Sequence, residues 1–161
     1  MLSFLEYLNE QEIVESSNTK TFKKMLSEIA ELFKKEVTLK NGREEEIEYI
    51  LKQKKIDNGI ASFLFYYTSP KAKGRLYNIC EISYNRIGSS REDLYAYLWK
   101  NFQNDFNFGS KVCKESFENT EQKLKAILKK YAVDILSGEA KEDINKNYYN
   151  TTISYTHKFN A

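Results

Sequence analysis

Histidine occurs once in this chain, at His157, and cysteine twice, at Cys80 and Cys113. One histidine excludes multi-histidine metal sites and any mechanism that relays protons between histidines. Two cysteines are too few for a disulfide framework and fit the reduced thiols of a cytosolic protein. Proline is equally scarce: Pro70 stands alone beside six glycines, so no Pro/Gly/Ser-rich linker divides the chain. No internal repeat is visible. No stretch of ~18 apolar residues exists, which excludes a membrane-spanning helix. The acidic, amphipathic start has no uninterrupted apolar core of the kind a secretory signal needs. Charge of one sign is also lacking. Lys plus Arg total 25 against 23 for Asp plus Glu, a net +2. A nucleic-acid binder usually shows a stronger basic excess or a basic stripe. The phosphate-cradling and nucleophile-elbow signatures are all absent: no G-x-x-x-x-G-K-[ST], G-x-G-x-x-G, C-x-x-C or G-x-S-x-G occurs.

What remains is a globular composition. With 161 residues, 41% hydrophobic and 30% charged, the chain reads as one domain, residues 1–161, with 1–17 as an amphipathic segment that can stand apart. A chain of this size buries roughly 68–70% of its unfolded surface, enough for an ordinary core without staples.

Ser3 to Glu12 opens with an S-x-x-E capping box and reads as a short helix. In NTKTFKKMLSEIAELFKK, residues Phe22, Met25, Leu26, Ile29, Leu32 and Phe33 recur at helical spacing, with Asn18 or Thr19 as the cap. The period then changes. Val37 and Leu39 alternate up to Asn41-Gly42, and Ile47, Tyr49 and Leu51 alternate after it. Asn58-Gly59 makes a second such turn before the β-branched and aromatic run Ile60–Thr68. Asn-Gly suits a type I′ turn because both central residues need positive φ. A loop, SPKAKG, leads to the returning strand RLYNICEISYNRIG. These signals predict a four-stranded antiparallel meander over about Glu36–Arg86. Ser90-Arg91-Glu92-Asp93 looks like another capping sequence, with Leu94, Leu98 and Phe102 on one helical face. Residues 107–119 are ambiguous. Leu124, Ile127, Leu128, Tyr131, Ile135 and Leu136 define a last helix, ended by Gly138. NTTISYTHKFN alternates cleanly and joins the sheet as a fifth strand. The expected fold class is therefore α+β: an antiparallel four- to five-stranded sheet, a meander plus a C-terminal strand, with helices packed mainly on one face.

Few residues suggest chemistry, and no catalytic or metal-ligating residue and no cofactor is assigned. His157 with Cys113 or Cys80 would make a nucleophile dyad, but nothing local marks either cysteine as reactive, so His157 reads as an ordinary strand residue. Glu44, Glu46 and Glu48 share a strand face and could gather with Glu81 as metal ligands; a run of charges is more simply a solvated face. Asp57–Gly59 with Glu81 loosely resembles a nuclease acidic set, but the lysine expected after the second acid is missing. The aromatic content is higher: twelve Tyr, ten Phe and one Trp. Tyr66, Tyr67, Tyr77 and Tyr84 fall on the central hairpin beside the basic tip Lys71, Lys73 and Arg75. That combination is expected to form the contact surface, for a protein partner first and for stacked bases second.

The first ten residues, MLSFLEYLNE, resemble the amphipathic leader on proteins of T-even-type tailed phages. In that family the leader directs internal proteins into the prohead, and a protease cuts after a hydrophobic-x-Glu triplet; Leu8-Asn9-Glu10 fits that triplet. The resemblance covers ten residues of 161. It implies a phage-encoded virion or accessory protein, placed in the host cytoplasm or the virion. The combined expectation is a non-enzymatic, cytoplasmic binding protein with a macromolecular partner and no membrane contact. The alternatives are a nucleic-acid or nucleotide binder using the tyrosine-rich hairpin, and a metal-dependent carboxylate enzyme at Glu44, Glu46 and Glu81.

Overall fold

A computed structural model describes residues 17–40, 48–57, 60–68, 77–100 and 110–159. Two helices, α1 (Ser17–Lys40) and α2 (Ser110–Ile135), accompany six strands: β1 (Glu48–Asp57), β2 (Ile60–Thr68), β3 (Tyr77–Ile87), β4 (Arg91–Trp99), β5 (Lys141–Lys146) and β6 (Asn150–Lys158). All strand pairs are antiparallel, in the order β1-β2-β3-β4-β6-β5. The α+β class and the antiparallel sheet with helices packed on it are as the sequence implies, though the described residues form six strands rather than four or five.

Three expectations are corrected. Val37 and Leu39 lie in α1, not in a strand. Two alternating residues carry too little periodicity to compete with a helix that is already propagating. The Ser90 segment is β4, not a helix. Leu94 and Leu98 fit an i, i+4 spacing, but Leu94, Ala96 and Leu98 fit period two as well, and all three are buried while their neighbours are half-exposed. Finally, β5 was not foreseen. Its sequence KEDINK has a single apolar residue. It can live only at an edge, where charge discourages further pairing, and that is its place. β6, buried on its alternate residues, sits between β4 and β5 instead of extending the meander.

The second Asn-Gly turn is matched by the pairing on either side of it. Asp57 faces Ile60 in the β1–β2 register, leaving two residues between the strands. The first Asn-Gly pair, the N-terminal helix and the tip 69–76 lie outside the described residues. At the β3–β4 turn Gly88 adopts φ 52°, a left-handed conformation that glycine takes without steric cost, and Ser90 N donates to Ile87 O at 3.0 Å.

One face of the sheet carries the core. Phe63, Ile82, Leu94, Ala96, Leu98 and Ile153 are fully buried against Met25, Leu26, Ile29 and Phe33 of α1 and Leu124 and Leu128 of α2. Ring contacts join the layers: Phe22 meets Phe63 at 5.5 Å and Phe33 meets Phe65 at 5.6 Å. The register shift between Phe65 and Tyr66 is a bulge that leaves Ile79 of β3 without an opposite residue, and Phe65 and Tyr66 are both buried. Cys80 is fully buried on the core side, and burial, helped by the neighbouring Glu81 charge, pushes its thiol well above the usual range. In a Cys113→Ser protein, Cys80 is therefore expected to ignore a thiol reagent in buffer and to react fully in urea. Rapid labelling of the native protein would contradict this burial.

Candidate functional site

Alternation along β4 divides its side chains between two surfaces. Glu92, Leu94, Ala96 and Leu98 face the helices; Asp93, Tyr95, Tyr97 and Trp99 face away and are half-exposed. The register continues both sets across the sheet.

On the helix side, one end of the sheet holds a closed polar cluster. Glu92 is 1% exposed. Its carboxylate accepts from Tyr84 OH at 2.7 Å and from the backbone N–H of Ser137, just past α2, and lies 3.2 Å from His157 Nδ1. Burial alone would push the Glu92 carboxyl up; the Ser137, Tyr84 and His157 contacts outweigh it and hold the group below the usual carboxylate range. Burial, reinforced by that carboxylate, raises the Tyr84 phenol. A carboxylate behind Nδ1 is also how a catalytic histidine is oriented. Here the other ring edge is covered. A Cβ on Gly138 would overlap Nε2 and come within 2.8 Å of Cε1, so the Nε2 edge of the ring abuts that glycine. Cys80 is not its partner. Cys80 registers with Leu98 and His157 with Glu92, six residues apart along β4, or about 20 Å. The side chain of Cys113 lies outside the described residues. The cluster clamps the end of α2 onto β3, β4 and β6.

A second clamp ties α2 to the β5–β6 hairpin. The Glu121 carboxylate, 4% exposed, meets Lys146 Nζ at 2.7 Å and accepts from Thr151 Oγ1 at 2.7 Å. This attraction raises the Lys146 ammonium. Tyr155 OH donates to Glu142 at 2.7 Å on the same hairpin.

The hairpin tip beyond these clamps is built differently. Asn147 Oδ1 accepts from Tyr149 N at 2.8 Å and from Asn150 N at 3.0 Å, and Asn147 Nδ2 donates to Asn150 Oδ1 at 3.1 Å. Asn150 Nδ2 in turn donates to Tyr97 OH, and Tyr149 O accepts from Lys100 N at 2.9 Å. Asparagine serves here because its side chain can replace missing turn hydrogen bonds. The result holds Tyr148 and Tyr149 out in water, 84% and 73% exposed, with their rings edge-on at 5.0 Å. Beside them Tyr97 and Trp99 make a second edge-on pair at 4.7 Å.

The sequence-derived surface fares unevenly. Tyr66 is buried, and Tyr84 is half-buried with its hydroxyl committed to Glu92, so neither is a free contact residue. Tyr67 and Tyr77 face one another in the β2–β3 register. Lys71, Lys73 and Arg75 lie outside the described residues, as do Glu44 and Glu46. Glu81 is on the outward face and accepts from Ser62 Oγ at 2.7 Å. Among the described residues, no three His, Cys, Asp or Glu side chains come together as metal ligands. Among the same residues, no helix is long and apolar enough to cross a membrane. The aromatics at Tyr97, Trp99, Tyr148 and Tyr149 were missed because the Ser90 segment read as a helix and residues 141–149 gave no periodic signal. The paired asparagines of NYYN were the available cue.

The chain matches no family model, no curated protein and no solved structure.

Proposed function

We propose that the protein is a non-enzymatic binding protein that offers the Tyr148–Tyr149 tip to a protein partner. The observation that carries this is the exposure of two adjacent tyrosines on a turn whose own hydrogen bonds come from Asn147, Asn150 and the backbone. The rings contribute nothing to the turn or the core. A rigid aromatic pair with wet hydroxyls is what a binding hot spot uses, since little entropy is lost on docking. The leader resemblance of residues 1–10 supports a phage-encoded virion or accessory protein as the setting.

The Tyr148→Ser/Tyr149→Ser protein is expected to melt as the unaltered one does, within about 0.5 kcal/mol of its stability. In a tagged capture from the native host, the same change is expected to weaken the retained partner by roughly 2 kcal/mol or more, about thirtyfold in Kd. An unchanged set of captured proteins would refute the tip as the contact. Retention of nucleic acid, falling steeply with salt, would favour the nucleic-acid reading instead.

A further inference from the structure

We infer that the partner segment docking on the Tyr148–Tyr149 tip is a proline-rich stretch in the polyproline II conformation, an inference that rests on that tip being the contact. The tip does not stand alone. Trp99 faces Asn150 in the β4–β6 register and Tyr97 faces Thr152, so the half-exposed Tyr97–Trp99 pair adjoins the turn that bears Tyr148 and Tyr149. Thr152 and Tyr148 are four residues apart, at most about 14 Å of chain. A polyproline II helix rises about 3.1 Å per residue, so roughly five of its residues span the rings.

Two features select this occupant. The first is the hydrogen-bonding capacity left at the surface. The turn spends its acceptors on itself. Asn147 Oδ1 accepts from the main-chain N–H groups of Tyr149 and Asn150, and Asn150 Oδ1 accepts from Asn147 Nδ2. Asn150 O accepts from Asn147 N, and Tyr149 O from Lys100 N, each at 2.9 Å. With these main-chain groups taken, a partner strand has no ladder to extend. The groups left over can all donate. Trp99 Nε1–H and the hydroxyls of Tyr148 and Tyr149 bond nothing among the described residues. Tyr97 OH accepts from Asn150 and keeps its own hydrogen to give. A proline-rich segment is the complement of such a surface. Its prolines have no main-chain N–H, and its carbonyl oxygens point their partial negative charge outward, unpaired. The second feature is charge. The ionic groups beside the rings are of both signs. Glu81, opposite Tyr97, accepts from Ser62. Lys146 is held by Glu121, with Glu118 close enough to act on it. Lys100 lies over the Phe117 ring at 5.9 Å. Neither sign dominates, so an uncharged segment fits this surface better than an acidic or a basic one. Proline rings pack on aromatic faces, and a helix that is already stiff loses little entropy on docking.

Trp99 is the chain's single tryptophan, so its fluorescence reports this surface without a label. Decaproline titrated into the full chain is expected to shift that emission saturably, and a glycine–serine peptide of equal length to leave it unchanged. Tyr148→Ser/Tyr149→Ser is expected to weaken decaproline roughly tenfold or more, with circular dichroism and melting showing that the variant remains folded. Absence of a shift at millimolar decaproline overturns the inference. So does a shift that the double variant leaves intact, or one that the glycine–serine peptide reproduces. The tip as the contact is tested separately, by capture from the host: a tip that retains its partner yet ignores decaproline overturns the proline assignment alone.

Discussion

Glu92→Ala is expected to cost about 3–5 kcal/mol, because it removes the charged member of a buried cluster and leaves its donors behind. Three groups lose their acceptor together: Tyr84 OH, Ser137 N–H and His157. The pH dependence follows from the sign of the shift. The folded carboxyl titrates below its unfolded value, so its stabilisation is fully present above the unfolded carboxylate range, about pH 4.3, and is lost as the pH falls through the folded value. The melting temperature is therefore expected to hold near neutrality and to drop in acid. Glu92→Gln keeps the shape and can accept from one or two donors. It is expected to lie between the unaltered and alanine proteins at pH 7 and to show a shallower acid decline. Urea denaturation at several pH values measures both effects. A loss below about 1 kcal/mol for Glu92→Ala would mean that water replaces the cluster.

Phe63→Ala is expected to cost about 3–5 kcal/mol, again by urea denaturation. Phe63 is fully buried on β2, its ring 5.5 Å from Phe22 of α1. The cost has two parts: the transfer of a large apolar side chain and the void that remains. The void closes poorly here, since Ile82 on the neighbouring strand and Leu26 and Ile29 of α1 are themselves fully buried in the same core. Against a typical total of about 5–15 kcal/mol, such a loss leaves a marginal fold. Leu64, next in sequence but half-exposed on the other face, gives the contrast. Leu64→Ala is expected to cost far less. Equal costs at the two positions would mean that the faces of β2 are not distinguished as described.

Much of this architecture was written locally. The stripe Phe22–Phe33 and the stripe Leu124–Leu136 each demanded burial on one side, and both helices supply the core. Asn58-Gly59 set a two-residue connection between β1 and β2, and the alternation of residues 150–158 set a half-buried strand. Such features depend on near neighbours, so period and turn chemistry reveal them. The site did not follow from those rules. Tyr66 read as part of a contact surface, yet it is buried. Glu92 read as part of a helix-capping sequence, and only the return of the chain as β6 and the end of α2 surround it with Ser137 and His157. Residues 90–99 satisfy helical and strand spacing about equally; pairing with β3 and β6 decided between them, because a central strand gains two ladders of hydrogen bonds that a lone helix cannot offer. The sequence by itself determined the composition class, the two amphipathic helices and the β-rich centre of the chain. Tertiary structure alone decided strand order, which acid is buried and which tyrosines meet solvent, since each of these depends on contacts between residues dozens of positions apart.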